Sequence, residues 1–295
     1  MQFLSPVQIS DGNLLASSIP ETDHPAWAAG VTYALGARVV NAHRVWQSVV
    51  GGNVGHDPAL DAAAEYWVDV GPTGRWAMFD ASVGTVSAAA GDIVVSLQPG
   101  FVSALALLDV TGSAVRVQMS SAGAPVYDRT FAMSDNAELL DYWMYFFAPI
   151  TPSTVLVVPD LPPFEDGVIT VTISPSSGLA ACGTLAVGDL VEVGAAQYGA
   201  RLGVIDYSRK ETDEWGVTAV TERGYAKRFE PSVLIPARSV DYVARQLAAV
   251  RARPVIWVGI AQYESTVVFG WLRDWGITIS YPTHSVASIT IEGLV

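Results

Sequence analysis

Between residues 76 and 173 short apolar runs alternate with turn signals. Residues 76–79, 93–97, 104–108, 114–119, 154–158 and 167–173 are predominantly apolar. Pro99-Gly100, Thr111-Gly112 and Ala122-Gly123 punctuate them. Short runs at this spacing, without a helical period between them, predict a two-sheet β-sandwich of jelly-roll type. The aromatic run Tyr142-Trp143-Met144-Tyr145-Phe146-Phe147 also reads as a strand. At period two it would place large side chains on both faces, so both need cover, from the core or from another subunit.

The texture changes again towards the C-terminus. Strands are predicted at 190–193, 202–206, 255–258, 266–271, 276–281 and 286–291. Gly194 to Gly199 reads as a hairpin loop. One convincing helix spans about 239–252: Ser239 opens it, Asp241 sits in its first turn, and Pro254 stops it. Val240, Val243, Ala244, Leu247 and Val250 form its apolar stripe, with Arg245, Arg251 and Arg253 elsewhere on its surface and towards its C-terminal end. This part is expected to be a β-barrel or sandwich with one packed helix.

Residues 1–24 read as an extended arm, with a strand at 7–9, a turn at Asp11-Gly12 and a linker up to Pro25. Next comes a segment dense in aromatics and glycines, residues 25–71. Arg38-Val39-Val40 and residues 44–49 predict two short strands joined tightly through Asn41-Ala42-His43. So short a segment buries little area, so flat aromatics must supply its core. Trp27 is the expected buried anchor; Trp46, Trp67 and then Tyr33 are the rings expected to stay exposed. The chain is thus mainly β, divided into an arm (1–24), an aromatic module (25–71), a sandwich (72–180) and a C-terminal unit (181–295).

Composition narrows the function. The chain has 295 residues, half of them hydrophobic, and carries 29 Asp and Glu against 16 Lys and Arg. That acidic balance disfavours nucleic acid and anionic membranes as partners. No signal peptide is visible, and no apolar run is long enough to span a bilayer. Cys182, the single cysteine, cannot form an internal disulfide and reads as a small buried hydrophobe.

Candidate chemistry is sparse. His24, His43, His56 and His284 show no zinc-ligand spacing, and His56-Asp57 reads as a solvated turn in preference to a metal site. No nucleophile elbow, phosphate loop or dinucleotide fingerprint occurs. Carboxylate pairs suited to glycoside hydrolysis exist near Glu65 and Asp69, Glu138 and Asp141, and among Asp206, Glu211, Asp213 and Glu214. In so acidic a chain they carry little weight, and Arg209 and Lys210 make the last group a charged, solvent- or subunit-facing loop. The expectation is no enzyme, cofactor or metal.

Two resemblances add to this. Ala26-Trp27, Tyr33, Gly36, Val39, Trp46, Pro58 and the closing Trp67 resemble the small chitin-binding type of carbohydrate-binding module, a three-stranded twist. Such modules usually carry exposed tryptophans just after the second-strand aromatic, where this chain has Gln47-Ser48-Val49-Val50. The resemblance therefore implies the fold more than the ligand, and a spacer is the other reading. Further on, Tyr198-Gly199, Asp206 to Glu211, Asp213 to Gly216, Ala252 to Trp257 and the ending Ser288 to Leu294 resemble tail-tip and baseplate proteins of long-tailed bacteriophages, of the distal-tail kind. That resemblance implies a structural ring subunit, trimeric or hexameric, assembled in the host cytoplasm into the virion tail. Its implied partners are identical subunits, other tail proteins and host surface glycans. Tyr142, Trp143, Tyr145 and Phe147, with Asp206, Arg209, Lys210 and Glu211, are the candidate subunit contacts. A polysaccharide-binding protein, or a hydrolase with an accessory module, is the alternative.

Overall fold

The computed structural model describes residues 1–135, 142–147, 151–176, 178–216, 218–260 and 263–294. It is mainly β, as the apolar pattern predicts, with antiparallel sheets that form a sandwich. A five-stranded sheet runs edge to edge through Ala124–Ala132, Ala114–Ser121, Val168–Ser174, Ile93–Leu97 and Leu14–Ser17. In Val168–Ser174 buried and half-buried positions alternate strictly, the mark of a strand with one face on a core. Ile169, Val171 and Ile173 pack there with Ile93, Val95, Leu97, Val115, Val117 and Met119. Opposite them stand Leu105, Leu107, Leu185 and Val187 of the second sheet.

That second sheet is long. Its path is Leu156–Val158, Ala104–Thr111, Leu179–Glu192, Gln2–Pro6, Val255–Val258, Val267–Thr278, His284–Gly293, Tyr225–Glu230 and Arg201–Asp206. Ser87–Ala90, Ser232–Pro236 and Ala195–Ala196 pair alongside it. Among the described residues no sheet closes into a barrel. The boundary expected near residue 180 falls inside Leu179–Glu192, which serves both the sandwich and the C-terminal unit. The arm does not stand apart either: Gln2–Pro6 fills the middle of the long sheet, pairing Phe3 with Val191 on one side and Trp257 on the other.

One face of the long sheet carries two cores. At the sandwich end it meets the five-stranded sheet. Further along, Phe3, Phe229, Val255, Trp257 and Val268 pack under Val243, Leu247 and Val250 of the helix Val240–Ala249 and its cap. On the opposite face Leu4, Ala104, Ala106, Leu108, Ala186, Ile256, Val258 and Val267 form a third cluster. Leu179–Glu192 is buried from Ala180 through Gly188 because it lies between two such clusters. Its side-chain alternation reverses at Gly183, opposite Asp109, whose φ is 53°. A Cβ on Gly183 would stand 2.9 Å from that of Asp109, so the crossing needs glycine.

Several expected elements differ. Residues 76–79 hold the 3-10 turn Ala77–Phe79, and 7–9 is loop between Gln2–Pro6 and Leu14–Ser17. The strands expected at 266–271 and 276–281 are one, Val267–Thr278. Tyr142–Phe147 is an α-helix. The two-residue strands Ser134–Asp135 and Thr151–Pro152 pair at the base of that excursion, so its tip has no sheet to join and a helix satisfies its backbone locally. Trp143, Phe146 and Phe147 are exposed there, so they are not covered as core residues would be. No helix among the described residues is long and apolar enough to cross a membrane.

Candidate functional site

The aromatic segment folds as an antiparallel sheet of Arg38–Asn41, Arg44–Ser48 and Trp67–Pro72. Its core is small, which decides where each ring sits. Trp67 is fully buried, donating its indole N–H to the His56 carbonyl at 2.9 Å. Tyr33, 9% exposed, meets it edge-on at 5.2 Å, and its hydroxyl accepts from the Ala28 N–H at 2.8 Å. Val39 completes the centre, with Trp27, Trp46 and Tyr66 packed around it.

The order expected from sequence is therefore corrected. Trp67 and Tyr33 are the anchor, and Trp27 is a half-buried flank. With one sheet face to cover and no second sheet, the largest ring nearest the centre has to supply the core. Trp46 is half-buried and donates to the Asn41 carbonyl at 3.1 Å, so one ring of the expected three keeps an accessible face.

Asp61 locks Trp67 in place, a role the sequence did not suggest. Its carboxylate accepts from the backbone N–H groups of Glu65, Tyr66 and Trp67 at 3.1, 2.7 and 2.8 Å. Burial by itself raises its pKa; the N–H groups of Tyr66, Trp67 and Glu65 outweigh that and hold the carboxyl below the usual range. His56 stacks on Tyr66 at 3.4 Å, and Asp57 caps the turn Pro58–Leu60 through Ala59 N–H.

The second candidate surface is a two-tier hairpin. Arg201–Asp206 pairs with Tyr225–Glu230, and beyond it Arg209–Thr212 pairs with Thr218–Thr221. Residues 206–214, expected as a loop, thus contain a strand. Arg209–Thr212 and Thr218–Thr221 are exposed throughout, so no apolar alternation marked them in the sequence. Lys210 bonds Asp206 at 3.1 Å and Arg209 pairs with Glu211, leaving these charges matched along the hairpin. The side-chain and backbone groups of Ser208, then Lys210, hold the Asp206 carboxyl down at about 2. Trp215, at the tip, is 89% exposed, and Leu202, Val204, Val220 and Tyr225 are exposed below it. Arg201–Asp206 is also the outer edge of the long sheet.

The third surface is the helix Tyr142–Phe147, where the rings of Trp143 and Phe147 meet at a tilt, centroids 5.5 Å apart. The side chains of Tyr142 and Tyr145 lie outside the described residues.

Of the carboxylates considered for hydrolysis, Asp69 is paired with Arg44 at 2.6 Å, Asp206 with Lys210, and Glu138 and Asp141 fall outside the described residues. Cys182 is fully buried, and burial, then nearby Asp109, push its thiol up to about 12, which leaves it unreactive at neutral pH. No protein-family model and no curated protein matches this chain.

Proposed function

We propose that the protein is a structural subunit that assembles with copies of itself, as a ring in the tail tip or baseplate of a long-tailed phage. The observation that carries the reading is the hairpin Arg201 to Glu230. It ends in an exposed tryptophan and borders an open sheet edge with Leu202 and Val204 facing solvent. Open apolar edges invite strand pairing, and soluble proteins blunt or cover them. A neighbouring copy is the cover that closed symmetry supplies. The tail context rests on the sequence phrases that resemble tail-tip proteins. In that setting the aromatic module faces outwards, and any contact with host glycan runs through Trp46.

Light scattering on a size-exclusion column and negative-stain electron microscopy test this. Rings are expected, and replacing Leu202 and Val204 together with Lys should yield monomers that keep the wild-type circular dichroism spectrum, since both side chains are exposed. A wild-type monomer at every concentration, or rings that survive the double substitution, would rule the reading out.

A further inference from the structure

The turn of the first module hairpin is made of Ala42 and His43, at φ 49° and 64°. Two consecutive non-glycine residues in the left-handed region are uncommon, and the structure holds them by the histidine ring. His43 lies on Trp76, ring centroids 4.4 Å apart. Its Nδ1 is 2.9 Å from Glu21 Oε1 and its Nε2 is 3.0 Å from Asp11 Oδ2. Glu21 belongs to the linker leading into the module and Asp11 to the turn before Leu14–Ser17 in the body, so the ring ties the module's tip to both.

This geometry has a protonation requirement. A carboxylate only accepts, and a neutral imidazole has one N–H and one lone pair. Bonds to carboxylates at both nitrogens therefore need the imidazolium. The neutral ring keeps one bond and turns a lone pair towards the other carboxylate. Glu21 is the partner that stays, because it is the more buried of the two and also accepts from Thr73 Oγ1 at 2.9 Å. Asp11 is largely exposed and returns to water at little cost.

We propose that His43 is a proton-operated latch: charged, it fixes the three-stranded module against the body through Asp11 and Glu21; neutral, it lets Asp11 go and frees the module to reorient. Other charged groups on the segments around it are already engaged. Arg75 donates to the Ile19 carbonyl at 2.8 Å, Asp23 accepts from the Gly74 N–H, and neighbouring Arg44 is paired with Asp69. Burial lowers the imidazolium's pKa, and the bonds to Asp11 and Glu21 outweigh it, leaving it raised. The sign follows: the latch is closed below the ordinary histidine value and opens as pH climbs through the raised one.

Nuclear magnetic resonance on the full chain tests this whether or not copies assemble. At low pH both His43 ring nitrogens are expected to carry protons, and residual dipolar couplings of Trp67–Pro72 and Ile93–Leu97 should fit one alignment tensor. Above the His43 titration the reoriented share of the module should rise by the factor the Asp11 contact contributes, read as module couplings that depart from that tensor. Asp11→Asn, at an exposed site, should weaken proton binding by His43 roughly two- to fivefold, the worth of one exposed ion pair. His43→Asn keeps a residue that tolerates positive φ and should leave the module reoriented at every pH. The proposal fails if Asp11→Asn leaves the titration in place, if the couplings fit one tensor across it, or if His43→Asn stays locked.

Discussion

Trp67 shows how a single side chain can hold a segment of this size. It fills the centre of the module sheet, hydrogen-bonds His56 through its indole, and has its own backbone N–H fixed by Asp61. Trp67→Ala should therefore cost about 3–5 kcal/mol, as removal of a buried large aromatic does. Trp46→Ala, at a half-buried site, should cost about 1–2 kcal/mol. Hydrogen exchange of the Arg44–Ser48 amides measures both, and equal effects would mean that the core is not where the burial puts it. Sequence spacing singled out Trp27, Tyr33, Trp46 and Trp67 but not their order of burial. Spacing says which residues share a strand face, whereas burial depends on Asp61 and His56, whose contacts are made across loops.

At the scale of elements, legibility followed the hydrophobic effect. Ile93–Leu97, Val168–Ser174 and Val255–Val258 are buried on at least one face and were readable from their apolar runs. Helix Val240–Ala249 announced itself through a stripe and a terminating proline. Arg209–Thr212 and Thr218–Thr221 bury nothing within the chain and left no trace. Tyr142–Phe147 misled in the other direction, because a run of aromatics fits a strand or a helix and only the pairing at its base decides. Close approach between strands is a further property that composition hides. A Cβ on Gly188 would lie 2.0 Å from the backbone oxygen of Ser5, its neighbour in the long sheet. Gly188→Ala should force those strands apart and cost about 2–3 kcal/mol. Urea denaturation gives the number, and a loss below the error of the measurement would mean that the pairing is looser than it looks.

The whole molecule is tied together by its first strand. Gln2–Pro6 joins Leu179–Glu192 to Val255–Val258, and Phe3 packs on Trp257 at 5.2 Å. Removing residues 1–9 should split the long sheet and unmake both cores on its one face, the sandwich included. Circular dichroism and a thermal melt of the truncated chain check this; an intact cooperative transition near the full-length value would show that the two halves stand without it. Sequence reading placed these residues in an arm because a five-residue strand carries too little pattern to reveal that it is central.

That placement also sets a clock. Gln2–Pro6 must wait for a partner made much later: Phe3 meets Val191 first, and Trp257 only after about 250 further residues exist. At roughly 5–20 residues per second the delay is about 10–50 s. Throughout it, Gln2–Pro6 has at least one unpaired edge. Contacts this distant in sequence also make folding slow once synthesis ends. Ribosome-bound chains stopped before Val255 should remain open to protease within Gln2–Pro6, and chains released after Gly293 should become protected. Protection arriving earlier would show that Leu179–Glu192 alone is enough to hold this strand.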